Sequence, residues 1–512
     1  MIRRTRIVCT IGPSSSSPHV LRAMVQAGMD VARFNFSHGD AETHRQAAAA
    51  VREAAEAAGR PVALLGDLQG PKIRTGELDG AAFKRLVRGR LVGLIAAPPA
   101  LRATSRQVGR TDLPTNGEDS ARENPDDITV SHVELVQALR PGDRVLLDDG
   151  RIELAVRSVS DGRAEASVMR GGLLGERKGV SVPGRPLPLP ALTEKDLEDL
   201  RLAMELDVDY LALSFVRRAE DIVICQQHIT GHNKTVPVIA KLEKLEAIRN
   251  LDAILEVADA VMVARGDLGV ELPPEQVPPL QNKIVATARQ FGKPVVVATQ
   301  MLESMVTSPT PTRAEVSDVA TAIYDGADAV MLSAESATGQ YPCEAVQMMD
   351  RIAVSVESDP SYQARIHFTQ TRLEPTTADA LAGSARQIAT TISAKAMVCY
   401  TSSGSTARRI ARERPSVPTL AMSASLHTAR RMGLIWGVYA VHTRDVSSFE
   451  EMVEKGKRMA LRHHIAGGGD RLVLMAGVPF GVSGSTNVLH VVRLIGDELE
   501  RYHAGGNAGK RD

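Results

Sequence analysis

The strongest constraint on the fold is a repeated alternation of short β-branched runs with longer stretches of helical period. Such an alternation predicts βα units on a parallel sheet. Eight units predict a closed (β/α)8 barrel of the α/β class, and a doubly wound open sheet is the competing arrangement. The candidate strands span residues 6–11, 30–36, 62–68, 210–216, 236–242, 260–264, 295–299 and 329–333. The helical stretches that follow them include residues 41–58, 194–206, 245–257, 276–291 and 312–324.

One connection is far longer than the others, because the third strand ends near residue 68 and the next helical stretch begins near residue 194. Turn signals such as Asp79-Gly80, Asn116-Gly117 and Asp149-Gly150 punctuate it, with short alternating runs between them. A structureless loop of this length is improbable. We therefore predict that barrel segments 1–70 and 183–356 are interrupted by a small inserted all-β domain, a β-barrel lid at 71–182.

A second α/β region follows the eighth unit. Residues 357–375 are polar and weakly periodic, as in a linker, and β-branched runs then alternate again with helical stretches. These runs lie near residues 396–400, 419–422, 438–441 and 471–477. The pattern predicts a C-terminal α/β domain at 357–512.

Charge and cysteine usage narrow the class of protein. The 512 residues include 61 Lys and Arg against 61 Asp and Glu, so the net charge gives no reason to expect nucleic acid or a membrane as a partner. No apolar run reaches the ~18 residues of a spanning helix, and no export signal is evident. The 4 cysteines lie far apart, without the spacing of a zinc site or a disulfide framework. We expect a cytoplasmic protein.

Polar residues collect where the candidate strands end, which is where the active sites of parallel barrels lie. A single polar strand end is unremarkable, but many that converge on one mouth indicate a functional pocket. In chain order these residues are Thr10, Arg33, Asn35, Ser37, Asp67, Ser214, Lys241, Glu243, Arg265, Gly266, Asp267, Thr299, Gln300, Ser333 and Glu335.

Lys241 and Glu243 lie two residues apart at the end of an apolar strand and therefore project to the same side. A charge at that depth is costly unless it is paired or binds a metal or a ligand. One interpretation is an ion pair where strand meets loop. The other, which the neighbouring strand ends favour, is that Glu243 binds a metal, so that the two side chains need not pair mainly with each other.

Glu243 and Asp267 are hard oxygen donors on adjacent strands, and two carboxylates with water and substrate oxygens commonly hold Mg²⁺. The alternative is that Lys241 and Arg265 neutralise both carboxylates.

Two further features of the mouth suit anionic ligands. Gly266 lets backbone N–H groups approach an anion closely, and Arg33 offers a planar fork for a phosphoryl or carboxylate group. Lys, Arg and a metal around one point indicate phosphoryl transfer or stabilisation of an enolate, since both develop charge on oxygen. No GxxxxGK[ST] loop is present, which disfavours a P-loop nucleotidase.

A hydroxyl-rich loop in the C-terminal domain follows a candidate strand and precedes a helical stretch. Its hydroxyls and amides can cradle a phosphate, or it can serve only as a helix cap. It reads Thr401-Ser402-Ser403-Gly404-Ser405-Thr406.

The chain resembles the pyruvate kinase family in segments that occur in the family's order and span the whole barrel. The inserted domain and the C-terminal domain are similar too, so the resemblance covers essentially the full length. The segments read RIVCTIGPSS, GMDVARFNFSHG, GDLQGPKIRTG, ALTEKD, AKLEKLEAI, MVARGDLGVELP, VVVATQMLESM, PTRAEVSDVA and GADAVMLSAESATGQYP.

This resemblance implies transfer of a phosphoryl group from phosphoenolpyruvate to ADP, which gives pyruvate and ATP, with Mg²⁺ or Mn²⁺ as cofactor. Lys241 matches the residue that stabilises the transferring phosphoryl group and the enolate. Glu243 and Asp267 match the ligands of the metal. Arg33 matches a contact to the substrate phosphoryl group, and Thr299 lies near the enolate face that is protonated.

The remaining matches concern the rest of the substrates and the assembly. Backbone amides of Gly266 and Asp267 match those that receive the substrate carboxylate. Arg74 and Lys178 match positions that engage nucleotide or phosphoryl oxygens, Lys178 from the inserted domain. The resemblance further implies a homotetramer built through the barrel and C-terminal domains.

One departure concerns the family's potassium pocket, which Asn35, Ser37 and Asp67 match. After Asp67 the chain reads Leu-Gln-Gly-Pro-Lys, ending at Lys72, where potassium-dependent members have Thr-Lys-Gly-Pro-Glu. An ammonium at Lys72 can occupy the pocket and supply the missing charge, so we predict that K⁺ is not required. The alternative is a solvated lysine on a loop.

A second departure concerns regulation. The loop Thr401–Thr406 resembles the phosphate cradle of the family's allosteric site, yet the later loop 476–482 lacks the Trp-Arg pair of members that respond to fructose bisphosphate. We expect a sugar monophosphate or a nucleotide as the phosphorylated effector.

Two competing functions remain at this point. One is a metal-dependent aldolase that acts on pyruvate, and the other is a regulatory paralogue that binds metabolites without turnover.

Overall fold

The computed structural model describes residues 2–78, 83–96, 127–368, 374–478 and 486–495. The strands of these residues, in chain order, are β1 (Arg6–Thr10), β2 (Val31–Asn35), β3 (Ala63–Asp67), β4 (Lys84–Leu86), β5 (Leu91–Ala96), β6 (Ile128–Val130), β7 (Arg144–Leu147), β8 (Ile152–Ser160), β9 (Arg163–Arg170), β10 (Gly172–Leu174), β11 (Val180–Ser181), β12 (Tyr210–Leu213), β13 (Val238–Leu242), β14 (Ala260–Ala264), β15 (Val295–Ala298), β16 (Ala329–Leu332), β17 (Ala396–Tyr400), β18 (Thr419–Ser423), β19 (Val438–His442), β20 (Arg471–Gly477) and β21 (Thr486–Arg493).

Eight of these strands form a closed barrel in the order β1-β16-β15-β14-β13-β12-β3-β2, and every neighbouring pair is parallel. The eight strands predicted from the sequence are therefore present, and the closed barrel is confirmed over the doubly wound sheet. Their residues are nearly all buried, as expected for strands covered on both faces.

Helices follow the barrel strands and cover the outside of the barrel, except that Arg265–Glu271 lines its mouth. They are Pro18–Ala27, Ala41–Ala57, Glu194–Glu205, Ala219–Gly231, Leu245–Arg249, Leu251–Val257, Arg265–Glu271, Val277–Gln290, Arg313–Asp325, Ala334–Ala337, Pro342–Ser358 and Pro360–Phe368. Reciprocal capping boxes start two of them, in which Thr193 pairs with Asp196 and Thr312 with Glu315. The single helix predicted over 245–257 is wrong, because the structure divides it at Asn250, whose side-chain amide instead donates to the Arg217 carbonyl at 2.9 Å.

The segment between β3 and β12 contains a six-stranded sheet in the order β11-β7-β8-β9-β5-β6 and a two-stranded sheet of β10 and β4. Its helix is Val133–Ala138. Isolated antiparallel bridges join Arg74 to Gly179 and Thr75 to Val130. The chain that leaves β3 thus contacts both edges of the six-stranded sheet.

The C-terminal region forms a five-stranded sheet in the order β19-β18-β17-β20-β21, parallel except for the β20–β21 pair. Its helices are Thr377–Thr391, Ser405–Arg412, Leu426–Arg431 and Phe449–Arg462. Leu434 of this region packs with Val31, Leu65 and Met262 in the barrel interior, so the C-terminal region contributes to the barrel's own core. None of the described helices is long and apolar enough to cross a membrane.

Candidate active site

The ends of β2, β3 and β13 bring three charged side chains into one buried network around Asp67. Arg33 Nε donates to Asp67 Oδ2 at 2.7 Å, and Lys241 Nζ lies 3.2 Å from Asp67 Oδ1. Arg33 Nη1 also donates to Thr10 Oγ1 at 2.8 Å. Asp67 is only 1% exposed, so both cations lie close to a carboxylate that water scarcely reaches.

Burial and two cations act on Asp67 in opposite directions. Burial alone raises the pKa of this carboxyl, but the charges of Lys241 and Arg33 outweigh it and hold the pKa below its ordinary value. Asp67 is therefore ionised at neutral pH. Its contribution to folding is complete above the ordinary aspartate pKa and is lost as the pH falls through the lower folded-state value.

Lys241 uses its three donors on three partners. Besides Asp67, its Nζ lies 3.0 Å from Glu243 Oε1 and donates to Ser214 Oγ at 2.7 Å. Burial opposes the charged form, but Asp67 and Glu243 raise the pKa of Lys241 above its ordinary value, so the ammonium is charged. Glu243 is thus one of three partners of Lys241, and the expectation that the two need not pair mainly with each other, with Glu243 engaged by a metal, stays a prediction.

Glu243 and Asp267 form the carboxylate pair predicted to hold a metal. Burial raises the pKa of Glu243, Lys241 opposes this shift and the charge of Asp267 reinforces it. Glu243 Oε2 accepts the Phe215 N–H at 2.7 Å. Two repelling carboxylates, one 1% exposed, suit a hard divalent cation, so the residues present fit Mg²⁺ or Mn²⁺.

Lys72 pairs with this carboxylate pair rather than with the potassium pocket. Its Nζ lies 3.3 Å from Asp267 Oδ1, while Asp67 already has Arg33 and Lys241. The predicted placement of the ammonium beside Asn35, Ser37 and Asp67 is thus corrected, and the reason is that Asp267 is the carboxylate left without a stronger partner. Asn35 Oδ1 itself accepts the Ser37 N–H at 3.2 Å.

Thr299 and Gly266 meet at the ends of β15 and β14. Thr299 Oγ1 accepts the Gly266 N–H at 2.8 Å and donates to the Ala298 carbonyl at 2.6 Å. Thr299 and Gln300 have φ angles of 72° and 55°, a left-handed conformation that costs free energy for residues with a Cβ. Backbone strain of this kind concentrates at functional sites.

The alternative left open by the sequence, that Lys241 and Arg265 neutralise the two carboxylates, is wrong for Arg265, whereas Lys241 does lie 3.0 Å from Glu243. Arg265 Nη1 lies 2.6 Å from Asp318 Oδ1, and its Nη2 donates to the Thr299 carbonyl at 2.7 Å. Arg265 therefore holds the Thr299 loop in place, and Asp267 pairs with Lys72 instead of Arg265.

A cleft separates the mouth of the barrel from the inserted sheet. Lys72, Glu243 and Asp267 line it on the barrel side, and residues 179–182 line it on the other. Arg74 and Lys178 lie on neighbouring segments of the inserted region, since Arg74 bridges to Gly179. Arg74 Nη1 donates to the Arg177 carbonyl at 3.2 Å, and Lys178 Nζ lies 3.1 Å from Asp148 Oδ1.

Sequence reasoning missed Glu271, which joins the two sides of this cleft. Its Oε1 accepts from Ser181 Oγ of β11 at 2.7 Å and lies 2.5 Å from Lys244 Nζ. Glu271 follows Asp267 by four residues on one short helix, which places both on one face. This four-residue spacing from Asp267 is the sequence signal that could have identified Glu271 as part of the site.

His38 was also missed, although it lies in the FNFSHG segment. Burial, and then the charges of Arg74, Arg33 and Lys72, lower the pKa of its imidazole. His38 is therefore neutral at neutral pH, and two predicted ligand-binding cations, Arg74 and Arg33, act on it together with Lys72.

The hydroxyl-rich loop of the C-terminal region leads into the helix Ser405–Arg412, whose N-cap residue is Gly404 and which has no side-chain cap hydrogen bond among the described residues. Thr401 Oγ1 accepts the Gly404 N–H at 3.0 Å, and Gly404 has a φ of 82° that favours glycine. Thr406 Oγ1 lies 2.8 Å from Thr486 Oγ1, whereas Ser402 and Ser403 are exposed. The loop thus presents exposed hydroxyls just before the helix, and Ser403 Oγ donates to Ser405 Oγ at 3.2 Å. Of the later loop 476–482, residues 479–482 lie outside the described residues.

Comparison with known proteins covers nearly the whole chain. The family model for the pyruvate kinase barrel domain matches residues 2–346, and that for the pyruvate kinase alpha/beta domain matches residues 379–492. A pyruvate kinase of Methylorubrum extorquens is 44% identical over 499 residues, which are 98% of this chain and 99% of that protein. One from Mycobacterium tuberculosis is 42% identical over 499 residues, 98% of this chain and 100% of its own length. The two domains are matched in order along one chain, and the chain belongs to the pyruvate kinase family.

Proposed function

We propose that this enzyme transfers the phosphoryl group of phosphoenolpyruvate to ADP at the mouth of the barrel, giving pyruvate and ATP, the last step of glycolysis. The observation that carries the proposal is the buried ammonium of Lys241 beside the carboxylate pair Glu243 and Asp267. A charged donor next to a divalent-cation site suits a reaction that develops negative charge on oxygen.

Each side chain of the mouth has a role in this proposal. Lys241 has three N–H donors, one of which faces Glu243 in this structure. If Glu243 binds a divalent cation, that N–H of Lys241 is available to the phosphoryl or enolate oxygen. Arg33 contacts the substrate phosphoryl group. A Mg²⁺ or Mn²⁺ on Glu243 and Asp267 supplies charge neutralisation when bound. Thr299 is the catalytic candidate at the face of the enolate that receives the proton.

The substrate carboxylate and the nucleotide occupy the two sides of the cleft in this proposal. Backbone amides of Gly266 and Asp267, at the start of the helix Arg265–Glu271, bind the carboxylate, and the Gly266 amide exchanges its bond to Thr299 for the ligand. Arg74 and Lys178 bind the nucleotide phosphates from the inserted region, which closes over the mouth as a lid.

A coupled assay tests the function. Phosphoenolpyruvate, ADP and Mg²⁺ are supplied together with lactate dehydrogenase and NADH, and we expect NADH consumption that requires all three. A metal-dependent aldolase that acts on pyruvate would form none from phosphoenolpyruvate and would release it only from a 4-hydroxy-2-oxo acid, and a non-catalytic paralogue would form none from either. The family matches do not favour either alternative. Pyruvate formation that is independent of ADP would overturn the proposal.

Regulation is proposed to act through the loop Thr401–Thr406. A phosphorylated effector, a sugar monophosphate or a nucleotide, binds the exposed hydroxyls and the amides at the start of the helix Ser405–Arg412. The doubly substituted variant Ser402→Ala, Ser405→Ala should lose activation by every such metabolite in the coupled assay, while turnover without effector stays unchanged. Unchanged activation would refute this role.

We further propose a cytoplasmic homotetramer assembled through the barrel and C-terminal domains, and activity without K⁺. These proposals rest on the family resemblance and, for K⁺, on the ion pair of Lys72 with Asp267 at 3.3 Å.

A further inference from the structure

A short two-stranded stem, residues 73–75 and 178–180, connects the barrel to the inserted region. The Thr75 N–H donates to the Lys178 carbonyl at 2.8 Å, and the Lys178 N–H donates back to Thr75 Oγ1 at 2.9 Å. Arg74 lies on the first segment of the stem and Lys178 on the second. The two cations proposed to bind the nucleotide phosphates are therefore held on one unit, and the placement of the stem decides where both of them lie.

Ser181, the residue that follows the stem, ties it to the barrel. Its Oγ donates to Glu271 Oε1 at 2.7 Å. Glu271 is only 7% exposed and ends the helix Arg265–Glu271, which also carries the predicted metal ligand Asp267. A hydrogen bond to a carboxylate is stronger than one between neutral groups, and burial limits competition from water. The bond therefore gives the stem a fixed point on the barrel mouth.

Lys244 holds the same carboxylate from the barrel side. Its Nζ lies 2.5 Å from Glu271 Oε1 and 5.8 Å from the centroid of the Phe215 ring. Lys244 directly follows Glu243 in the chain, and the Phe215 N–H donates to Glu243 Oε2 at 2.7 Å. One oxygen of Glu271 is thus shared between a cation beside the predicted metal site and a hydroxyl of the inserted region.

Glu271 lines the cleft but has no part in the proposed chemistry. An ion pair with Lys244 alone would satisfy a buried carboxylate and would need no partner from the inserted region. The hydroxyl of Ser181 on the same oxygen is the observation that indicates a second role, because it joins two parts of the chain that contribute different groups to the cleft.

We propose that Glu271 is a positioning residue for the nucleotide: through Ser181 it fixes the stem, so that Arg74 and Lys178 are held beside the barrel mouth before ADP binds. This inference rests on the proposed phosphoryl transfer to ADP. Cations that are ordered in advance lose less conformational entropy when the phosphates bind, which raises the affinity. Loss of the bond should therefore weaken the binding of ADP. Phosphoenolpyruvate, whose proposed contacts lie on the barrel, should bind as before.

Ser181→Ala removes the hydroxyl with little change in volume. In the coupled assay we expect the KM for ADP to rise about 10-fold, the effect of one hydrogen bond to a charged group. The kcat at saturating ADP and the KM for phosphoenolpyruvate should stay within about twofold of the parent values, because Ser181 touches neither substrate in the proposal. Ser181→Thr keeps the hydroxyl and should restore the KM for ADP.

Two matched controls carry the same changes at exposed positions. Ser158→Ala alters a serine of the inserted region, and Glu256→Gln alters a glutamate of the barrel. Both should leave all three constants unchanged. Glu271→Gln should raise the KM for ADP, and adding Ser181→Ala to it should have a smaller effect than in the parent chain. The Ser181 variants carry the test if Glu271→Gln does not fold.

A second background separates positioning from stability. In Lys178→Gln one of the two cations on the stem is gone, so adding Ser181→Ala should raise the KM for ADP by a smaller factor than in the parent chain. A merely structural bond would act independently of Lys178. It would give the same factor in both backgrounds.

The inference fails if Ser181→Ala keeps the parent KM for ADP, if the KM values of both substrates rise together, or if Ser181→Thr does not restore the KM. An equal factor in the two backgrounds would reduce the bond to a structural one. A parent chain without turnover that depends on ADP would instead contradict the proposed function. Calorimetric titration of ADP into the same variants then decides the inference without turnover, with weaker binding in Ser181→Ala as the expected result and equal binding as the contrary one.

Discussion

Replacing Lys241 by methionine should lower kcat in the coupled assay by about a thousandfold, a loss of several kcal/mol in transition-state stabilisation. The variant keeps much of the side chain's volume but removes the one ammonium that lies within 3.2 Å of both Asp67 and Glu243. Charge that develops on the phosphoryl and enolate oxygens would then have no donor from this strand.

The same substitution should also affect folding, because Glu243 and Asp67 are both 1% exposed. Removing one partner of a buried ion pair costs about 3–5 kcal/mol, although Arg33 still compensates Asp67. Thermal melting should therefore accompany the kinetics, at a temperature where the variant is folded. A folded Lys241→Met variant with turnover near that of the parent chain would contradict the proposed role.

A matched control separates catalysis from folding. Lys455 is also a buried lysine, 6% exposed, and its Nζ donates to the Arg444 carbonyl at 2.8 Å in the C-terminal region. Lys455→Met should lower the melting temperature but leave kcat within about twofold of the parent chain, because it lies outside the barrel mouth.

Turnover of the parent chain in tetramethylammonium buffer should not rise appreciably when K⁺ is added. Lys72 provides a fixed positive charge 3.3 Å from Asp267, so no monovalent cation is needed to compensate the carboxylates of the mouth. Lys72→Glu, which restores the residue of potassium-dependent members, places a third carboxylate beside Glu243 and Asp267. We expect turnover without K⁺ to fall about 10- to 100-fold and to recover on addition of K⁺.

The control for this experiment is Lys234→Glu, the same change of charge on a lysine that pairs with Asp207 away from the mouth. It should leave turnover unchanged in both buffers. A large rise of the parent chain's turnover with K⁺ would refute potassium independence. A Lys72→Glu variant that remains fully active without K⁺ would show that Lys72 is only a loop residue.

The barrel was predictable from the sequence because a strand that is buried on both faces consists almost entirely of apolar residues. Strands such as β14 and β15 are continuous apolar runs, and each is followed by a stretch of helical period. The break at Asn250 was not predictable, because the periodicity continues through it. There the backbone has a φ of −104° and a ψ of 19°, and the side chain donates to the Arg217 carbonyl.

The members of the site were predictable for a similar reason. Parallel strands of a barrel all end at one mouth, so polar strand ends such as Arg33, Asp67 and Lys241 had to converge there. Glu271 was not found, because its partner Ser181 comes from β11 of the inserted region and no spacing along the chain relates the two.

Pairing within the site was decided only by the tertiary structure. The sequence by itself determined that a lysine, an arginine and several carboxylates meet at one end of a barrel, because strand period and strand order are local and repetitive properties. Which cation faces which carboxylate depends on distances across strands and loops. The structure pairs Lys241 with Glu243 as well as Asp67, and directs Lys72 to Asp267 rather than to Asp67. Coulomb energy between buried charges changes steeply over a few ångströms, and a linear sequence does not specify separations on that scale.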